Sequence, residues 1–211
     1  HAGLNCAMVG NIGISIAKQV ALDPKEIYVA EISSFQLDDI KDFRAEIALM
    51  TNITEDHLDR YEYKFENYIN AKFKIIQNQT KDDYFIYCAD DPVTANYLSK
   101  LTIHSNPLPF TMKQEPQKGA FIKDGTMTIA VNDDKVTMSV DDFKIKGKHN
   151  QYNTMAAGIA AATLGIRKEK IREAVTTFES LEHRMEMVAM VKGVEYINDS
   201  KATNINSTWY A

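Results

Sequence analysis

Glu31, His57 and Lys72 are the side chains whose types could assemble a metal or phosphate site. A carboxylate and an imidazole are ligands for a divalent cation, and an ammonium meets phosphate oxygens. Glu31 and His57 stand in polar motifs that follow apolar runs, EISSFQL at 31–37 and NITEDH at 52–57, and Lys72 lies on the next helical stretch. Lys72 breaks its own pattern. In the stretch 64–77 the apolar residues include Phe65, Tyr68, Ile69 and Ile76, and Lys72 follows the first three by seven, four and three residues and precedes the last by four. That spacing puts it in the middle of the apolar stripe. Either it snorkels its ammonium to the rim of the core, or it has a partner or a task there.

Other polar groups admit two readings each. GNIG at 10–13 can present backbone N–H groups to an anion at a helix N-terminus, or can be an ordinary strand-to-helix turn. Ser33, Ser34 and Gln36 suit phosphate or sugar oxygens, or cap the next helix. Asn150 and Asn153 stand at a helix start, where Asn150 is a candidate cap. Asp199 and Lys201, in NDSKATN at 198–204, suit a ribose and a phosphate. His183 and Arg184 lie before that strand, in a charged loop that is either a ligand contact or a solvated surface.

These groups share a site only if the strands before them share a sheet. Apolar runs at 7–9, 27–32, 47–50, 84–88 and 194–197 read as strands, and helical patterns at 14–21, 64–77, 152–164, 168–178 and after Pro92 alternate with them. Such alternation predicts an α/β fold with a mostly parallel sheet flanked by helices. Ligands of open α/β sheets sit beyond the carboxyl ends of the strands, where the polar motifs fall. Residues 119–146 alternate over a shorter period around Asp124-Gly125, a hairpin signal, and predict a small antiparallel β-meander attached to that sheet.

Composition bounds the alternatives. With 211 residues, 45% hydrophobic and 25% charged, the chain can bury a sizeable core. A net charge of −5 argues against nucleic acid as a partner. No apolar run approaches the roughly 20 residues that span a bilayer. Cys6 and Cys88 lie in apolar strand-like contexts without metal-ligand spacing, which predicts buried free thiols in a reducing, cytoplasmic setting. No G-x-x-x-x-G-K-[ST] phosphate loop occurs, and the chain starts at His1, which reads as an excised piece of a larger enzyme.

Seven motifs, in order, resemble those of the Mur ligase family, the ATP-dependent amide-forming enzymes of peptidoglycan synthesis. They are GNIG at 10–13, E-x-SSFQL at 31–37, NITEDHLDRY at 52–61, YxxAK at 68–72, GxHNxxN at 147–153, HR at 183–184 and NDSKATN at 198–204. The SSFQL form points to the D-glutamate-adding branch. The resemblance implies a P-loop NTPase-like central, ATP-binding domain over 1–182 without its phosphate-loop segment. It further implies a hinge and the start of an amino-acid-binding domain over 183–211, and a fragment that does not turn over alone. It implies Mg2+ ligands at Glu31, His57 and Lys72, the lysine being carbamylated by CO2 to an oxygen ligand suited to a hard cation. Asn11, Ser33, Gln36 and His57 would hold UDP-N-acetylmuramoyl-L-alanine, and Thr203 would lie near D-glutamate. Asn150, Asn153, Arg184, Asp199 and Lys201 would contact ATP, with Lys201, His57 and Lys72 serving catalysis in a monomeric parent. Two alternatives stand beside this reading: another ligase of the superfamily, such as folylpolyglutamate synthase, and a nucleotide or nucleotide-sugar binding module without catalysis.

Overall fold

The computed structural model describes residues 2–179, 182–184 and 186–202. The chain opens with a parallel β-α-β unit: β1 (Cys6–Gly10), α1 (Ile16–Leu22) and β2 (Ile27–Glu31), with Cys6 opposite Ile27 and Gly10 opposite Glu31. A short helix α2 (Ser34–Leu37) leads to β3 (Ile47–Met50). There follow a 3-10 turn (Leu58–Tyr61), α3 (Phe65–Phe73) with a 3-10 extension (Lys74–Ile76), β4 (Tyr84–Cys88), α4 (Pro92–Leu98) and β5 (Asn106–Thr111). Then come β6 (Gly119–Lys123), β7 (Thr126–Val131), β8 (Asp134–Ser139), α5 (Lys148–Thr163), α6 (Lys168–Thr177) and the hairpin β9 (Glu186–Val191) and β10 (Val194–Asn198).

The main sheet runs β3-β4-β5-β6-β7-β8. The first four strands are parallel and the last three form the expected antiparallel meander. Its first turn is Asp124-Gly125, both at positive φ (47° and 70°), the backbone that a two-residue hairpin needs. Alternation along β4 sends neighbouring side chains to opposite faces. Phe85 packs with Ala48, Tyr68, Ala71 and Phe73 under α3, while Ile86 packs with Phe110, Met127, Ile129, Met155 and Ile159 under α5. Both faces of the sheet are therefore covered, which explains why β4 reads as a continuous apolar run.

Three features differ from expectation. The strand pair β1-β2 and the hairpin β9-β10 each form a separate two-stranded sheet. The motifs after β2 and after β10 therefore leave strands outside the main sheet, and of the three motifs only the one after β3 follows one of its strands. Second, β5 was not foreseen, because Pro107 and Pro109 speak against a central strand. The Asn106 N–H donates to Asp83 O and Phe110 O accepts from Ala89 N, so even-numbered residues bond toward β4. The prolines face β6, which pairs with β5 only at Phe110 and Thr111, and no ladder bond is lost. Third, Cys6 is exposed, whereas Cys88 is buried as expected. Among the described residues no helix is long and apolar enough to cross a membrane.

Candidate active site

Strands β3, β4 and β5 run in one direction, so their carboxyl ends share one edge, the edge on which α/β sheets hold ligands. The loop leaving β3 ends at His57, whose backbone is left-handed (φ 52°, ψ 30°) and whose N–H donates to Asp56 Oδ1 at 2.9 Å. Left-handed backbone is uncommon outside glycine, and histidine is among the residues that adopt it more often. The Phe35 ring lies 5.0 Å from the His57 ring, and the Arg60 guanidinium lies 4.6 Å over Phe35. Asp38, at the end of α2, ties the same parts together. Its carboxylate accepts from Tyr61 Oη at 3.2 Å and faces Arg60 Nε at 3.5 Å, and its carbonyl accepts from Lys74 Nζ at 2.6 Å. The motifs at 31–37 and 52–61 are thereby brought into contact. Asp38 was missed by the sequence reading, although it directly follows the SSFQL run.

Lys72 is half-buried, with its ammonium 4.9 Å from the Tyr68 ring centroid. It makes no hydrogen bond to any described residue. Burial lowers its pKa, and the Asp56 carboxylate opposes that shift. Asp56 also lies 3.7 Å from His57 Nε2, so the field of one carboxylate reaches both His57 and Lys72. Tyr68 is pushed up to about 12 by burial, then by Asp56 and Tyr61. The half-buried ammonium over the Tyr68 ring is compatible with both readings of Lys72.

Glu31 and Asn11 form a second pair. Asn11 Nδ2 donates to Glu31 Oε1 at 3.0 Å and Asn11 N to Glu31 O at 2.8 Å. The close passage requires Gly10, where φ is +101° and a Cβ would lie 2.3 Å from Glu31 O. Phe35, in contact with His57, is four residues beyond Glu31, a span of at most roughly 14 Å of extended chain. No hydrogen bond or ion pair joins the Glu31–Asn11 pair to His57 or Lys72 among the described residues. No cluster of three His, Cys, Asp or Glu side chains occurs there either. A set of Glu31, His57 and a carbamylated Lys72 would contain only two residues of those types. The carboxylate and carbamate oxygens of such a set suit a magnesium ion that keeps waters and phosphate oxygens, whereas an imidazole is the softer donor.

GNIG does not open a helix directly. Gly10 N donates to Ile14 O, and α1 starts later with Ser15 as its cap. Ser33 and Gln36 form a reciprocal capping box for α2: Ser33 Oγ accepts from Gln36 N at 3.3 Å, and Gln36 Oε1 accepts from Ser33 N at 2.8 Å. Asn150 is not the cap of α5. That position belongs to Gly147, and Asn150 instead donates to Lys146 O at 2.7 Å from inside the first turn. Asn153 is exposed one turn on.

Comparison with known proteins now adds to this geometry. The Mur ligase middle domain family matches residues 9–161. The chain belongs to the Mur ligase family. It is 49% identical over 211 residues to the UDP-N-acetylmuramoylalanine--D-glutamate ligase of Christiangramia forsetii, covering 100% of this chain and 47% of that one. It is 50% identical over 214 residues to the same-named ligase of Bacteroides fragilis, again covering 100% of this chain and 47% of that one. The chain thus spans about half the length of these curated relatives. Among solved structures, a MurF ligase from Thermotoga maritima in complex with ADP superposes with a TM-score of 0.70 over 99% of this chain and 50% of that chain, at 18% identity. At that identity the likeness concerns the fold.

In this Mur ligase chain the remaining candidates gather around the β9-β10 hairpin. Asn198 Nδ2 lies 2.8 Å from His183 Nδ1 and donates to Glu186 Oε2 at 3.2 Å. Lys201 N donates to His183 O at 3.1 Å, and Ala202 N to Asp199 O at 2.9 Å. The segment carrying Asp199 and Lys201 is thereby tied to the segment carrying Arg184. Thr203 lies outside the described residues. The strand β9 was missed because its flanking charges read as loop.

Proposed function

We propose that the protein to which this chain belongs joins D-glutamate to UDP-N-acetylmuramoyl-L-alanine, driven by ATP, in peptidoglycan precursor synthesis. The observation that carries the ligase reading is a half-buried Lys72 ammonium over the Tyr68 ring, within the field of the Asp56 carboxylate in the loop after β3. The names of relatives about half identical across the whole chain support the choice of acceptor. In this reading the substrate carboxylate attacks the γ-phosphorus of ATP, giving an acyl phosphate and ADP. The amine of D-glutamate then attacks the acyl carbon, loses a proton, and phosphate departs.

Magnesium, when bound, offsets the negative charge that these anions bring together. Glu31, His57 and Lys72 would hold it. The lowered pKa of Lys72 favours the neutral amine, the form that adds to CO2 and loses a proton to become a carbamate. Asn11 positions Glu31 through its amide. Ser33 and Gln36 would meet the UDP-muramoyl substrate after giving up their capping bonds. Asn150 and Asn153 would contact the adenine end of ATP, Arg184, Asp199 and Lys201 the rest of the nucleotide, and Thr203 the amino acid. Residues 1–182 would form part of the central domain and 183–211 the hinge and start of the next.

ATP-dependent phosphate release by the full-length protein tests the reading, with UDP-N-acetylmuramoyl-L-alanine and single amino acids. Release with D-glutamate but not L-glutamate, L-lysine or diaminopimelate is expected. Release with another acceptor overturns the substrate. No release from folded protein with any acceptor overturns the ligase.

A further inference from the structure

Asp90 follows β4 and is not among the groups assigned above. Its carboxylate takes three short hydrogen bonds from two other elements: Thr111 Oγ1 at 2.6 Å, Met112 N at 2.6 Å and Tyr152 Oη at 2.7 Å. Burial raises its pKa, but the bonds from Met112, Thr111 and Tyr152 and the nearby Lys113 outweigh burial and hold the carboxyl below its usual range. An ionised carboxylate makes each bond stronger than a neutral acceptor would. Thr111 ends β5 and Met112 follows it, whereas Tyr152 belongs to the start of α5. Asp90 therefore fastens the start of α5 to the carboxyl edge shared by β3, β4 and β5.

The Tyr152 ring also packs against the core beside Phe110, and the fully buried face of α5 begins at Thr154. Gly147 occupies the cap position without a side-chain bond. Among the described residues the first turn is tied locally by Gln151 N to Gly147 O, Asn150 to Lys146 O and Thr154 Oγ1 to Asn150 O. Tyr152 stands between Asn150 and Asn153. A helix with side chains has a radius of roughly 5–6 Å, so a rotation of about 20° moves a side-chain amide by about 2 Å. Such a displacement is enough to lose a hydrogen bond.

We propose that Asp90, through Tyr152, is a positioning residue that sets the rotation of α5 and so aims Asn150 and Asn153 at the nucleotide. This inference rests on the reading that those two asparagines contact ATP. The sequence did not mark it, since Asp90 and Tyr152 are 62 positions apart.

The test uses the full-length protein and the dissociation constant for Mg-ATP by calorimetry, with thermal melting of each variant alongside. Tyr152→Phe and Asp90→Asn should weaken ATP about 5- to 20-fold, and Tyr152→Phe should also narrow the preference for ATP over GTP. Thr111→Val removes another bond to the same carboxylate, together with the bond from Lys113 N to Thr111 Oγ1, without touching α5. It should lower the melting point comparably to Tyr152→Phe and leave ATP affinity within twofold. Unchanged affinity in Tyr152→Phe, an equal loss in Thr111→Val, or no ATP binding by the wild type overturns the inference. A wild type that binds ATP but releases phosphate with no acceptor sinks the ligase reading instead, while the ratio of affinities still decides the role of Asp90.

Discussion

Replacing Gly10 by alanine tests how tightly the site depends on backbone geometry. A Cβ at Gly10 would lie 2.3 Å from Glu31 O, 3.2 Å from its carbonyl carbon and 3.3 Å from its nitrogen. All three are backbone atoms, so no rotamer change relieves the contact. Bringing the nearest contact out to 3.0 Å requires β1 and β2 to part by about 0.7 Å. The Asn11 N to Glu31 O bond, now 2.8 Å, then stretches beyond good geometry. Alanine at φ +101° adds backbone strain. Strain of about 1–3 kcal/mol and a lost bond worth about 1 kcal/mol give a cost of about 2–4 kcal/mol. For a chain of this size that lowers the melting midpoint by on the order of 5–15 °C. Because Glu31 moves with its backbone, phosphate release by the full-length protein should fall on the order of 100-fold. Gly3→Ala is the control: φ there is +77°, but nothing lies within 4 Å of the added Cβ, so it reports strain alone. Circular dichroism melts of both variants, with a phosphate-release assay, decide the matter. If Gly10→Ala melts with Gly3→Ala and keeps activity within twofold, the close approach of β1 to Glu31 is not what holds the site.

Three further outcomes are expected. Lys72→Met keeps the stem in the apolar stripe and removes the charge. It should leave the melting midpoint within a few degrees of wild type while reducing phosphate release by roughly 100-fold or more, and a strongly destabilised Met variant would mean that the ammonium is structural. Because the folded-state pKa of Asp90 is depressed, its contribution to stability is fully present above the unfolded value of about 3.9 and is lost as pH falls through the folded value. Urea midpoints of the wild type should therefore fall more steeply below about pH 4 than those of Asp90→Asn, and parallel pH profiles would contradict the linkage. Ser33→Ala breaks the reciprocal cap of α2 and should cost about 0.5–2 kcal/mol, with faster amide exchange at Gln36; unchanged exchange there would remove the capping role.

Much of the architecture is local in origin and could be read from the chain. Asp124-Gly125 announced its hairpin because few other residues tolerate two successive positive φ angles. Pro92 marked the first turn of α4, where its missing N–H costs nothing, and Asp91 caps that helix through Thr94 N at 2.9 Å. The strand β5 was hidden by its prolines. Which side of a strand carries the ladder depends on the neighbours it acquires, and these are distant in sequence. The start of α5 was misplaced by a few residues because Asn150 is a good cap by type, yet Gly147, at φ +95°, provided the turn into the helix.

The same division runs through the site. Residue type and spacing alone raised Lys72, Glu31 and His57 as candidates for a metal or phosphate site, and the ordered motif set resembled the family to which the chain belongs. These are properties of short segments, where helical and strand periods tie spacing to direction. The carboxylates that organise the site, Asp38, Asp56 and Asp90, were not distinguishable from other acidic residues in the chain. What separates them is the set of groups around each: Tyr61, Arg60 and Lys74 around Asp38, His57 and the charge of Lys72 around Asp56, Thr111, Met112 and Tyr152 around Asp90. A charge becomes functional or structural through its neighbours. The sheet register and helix docking that choose those neighbours arise only when the whole core closes.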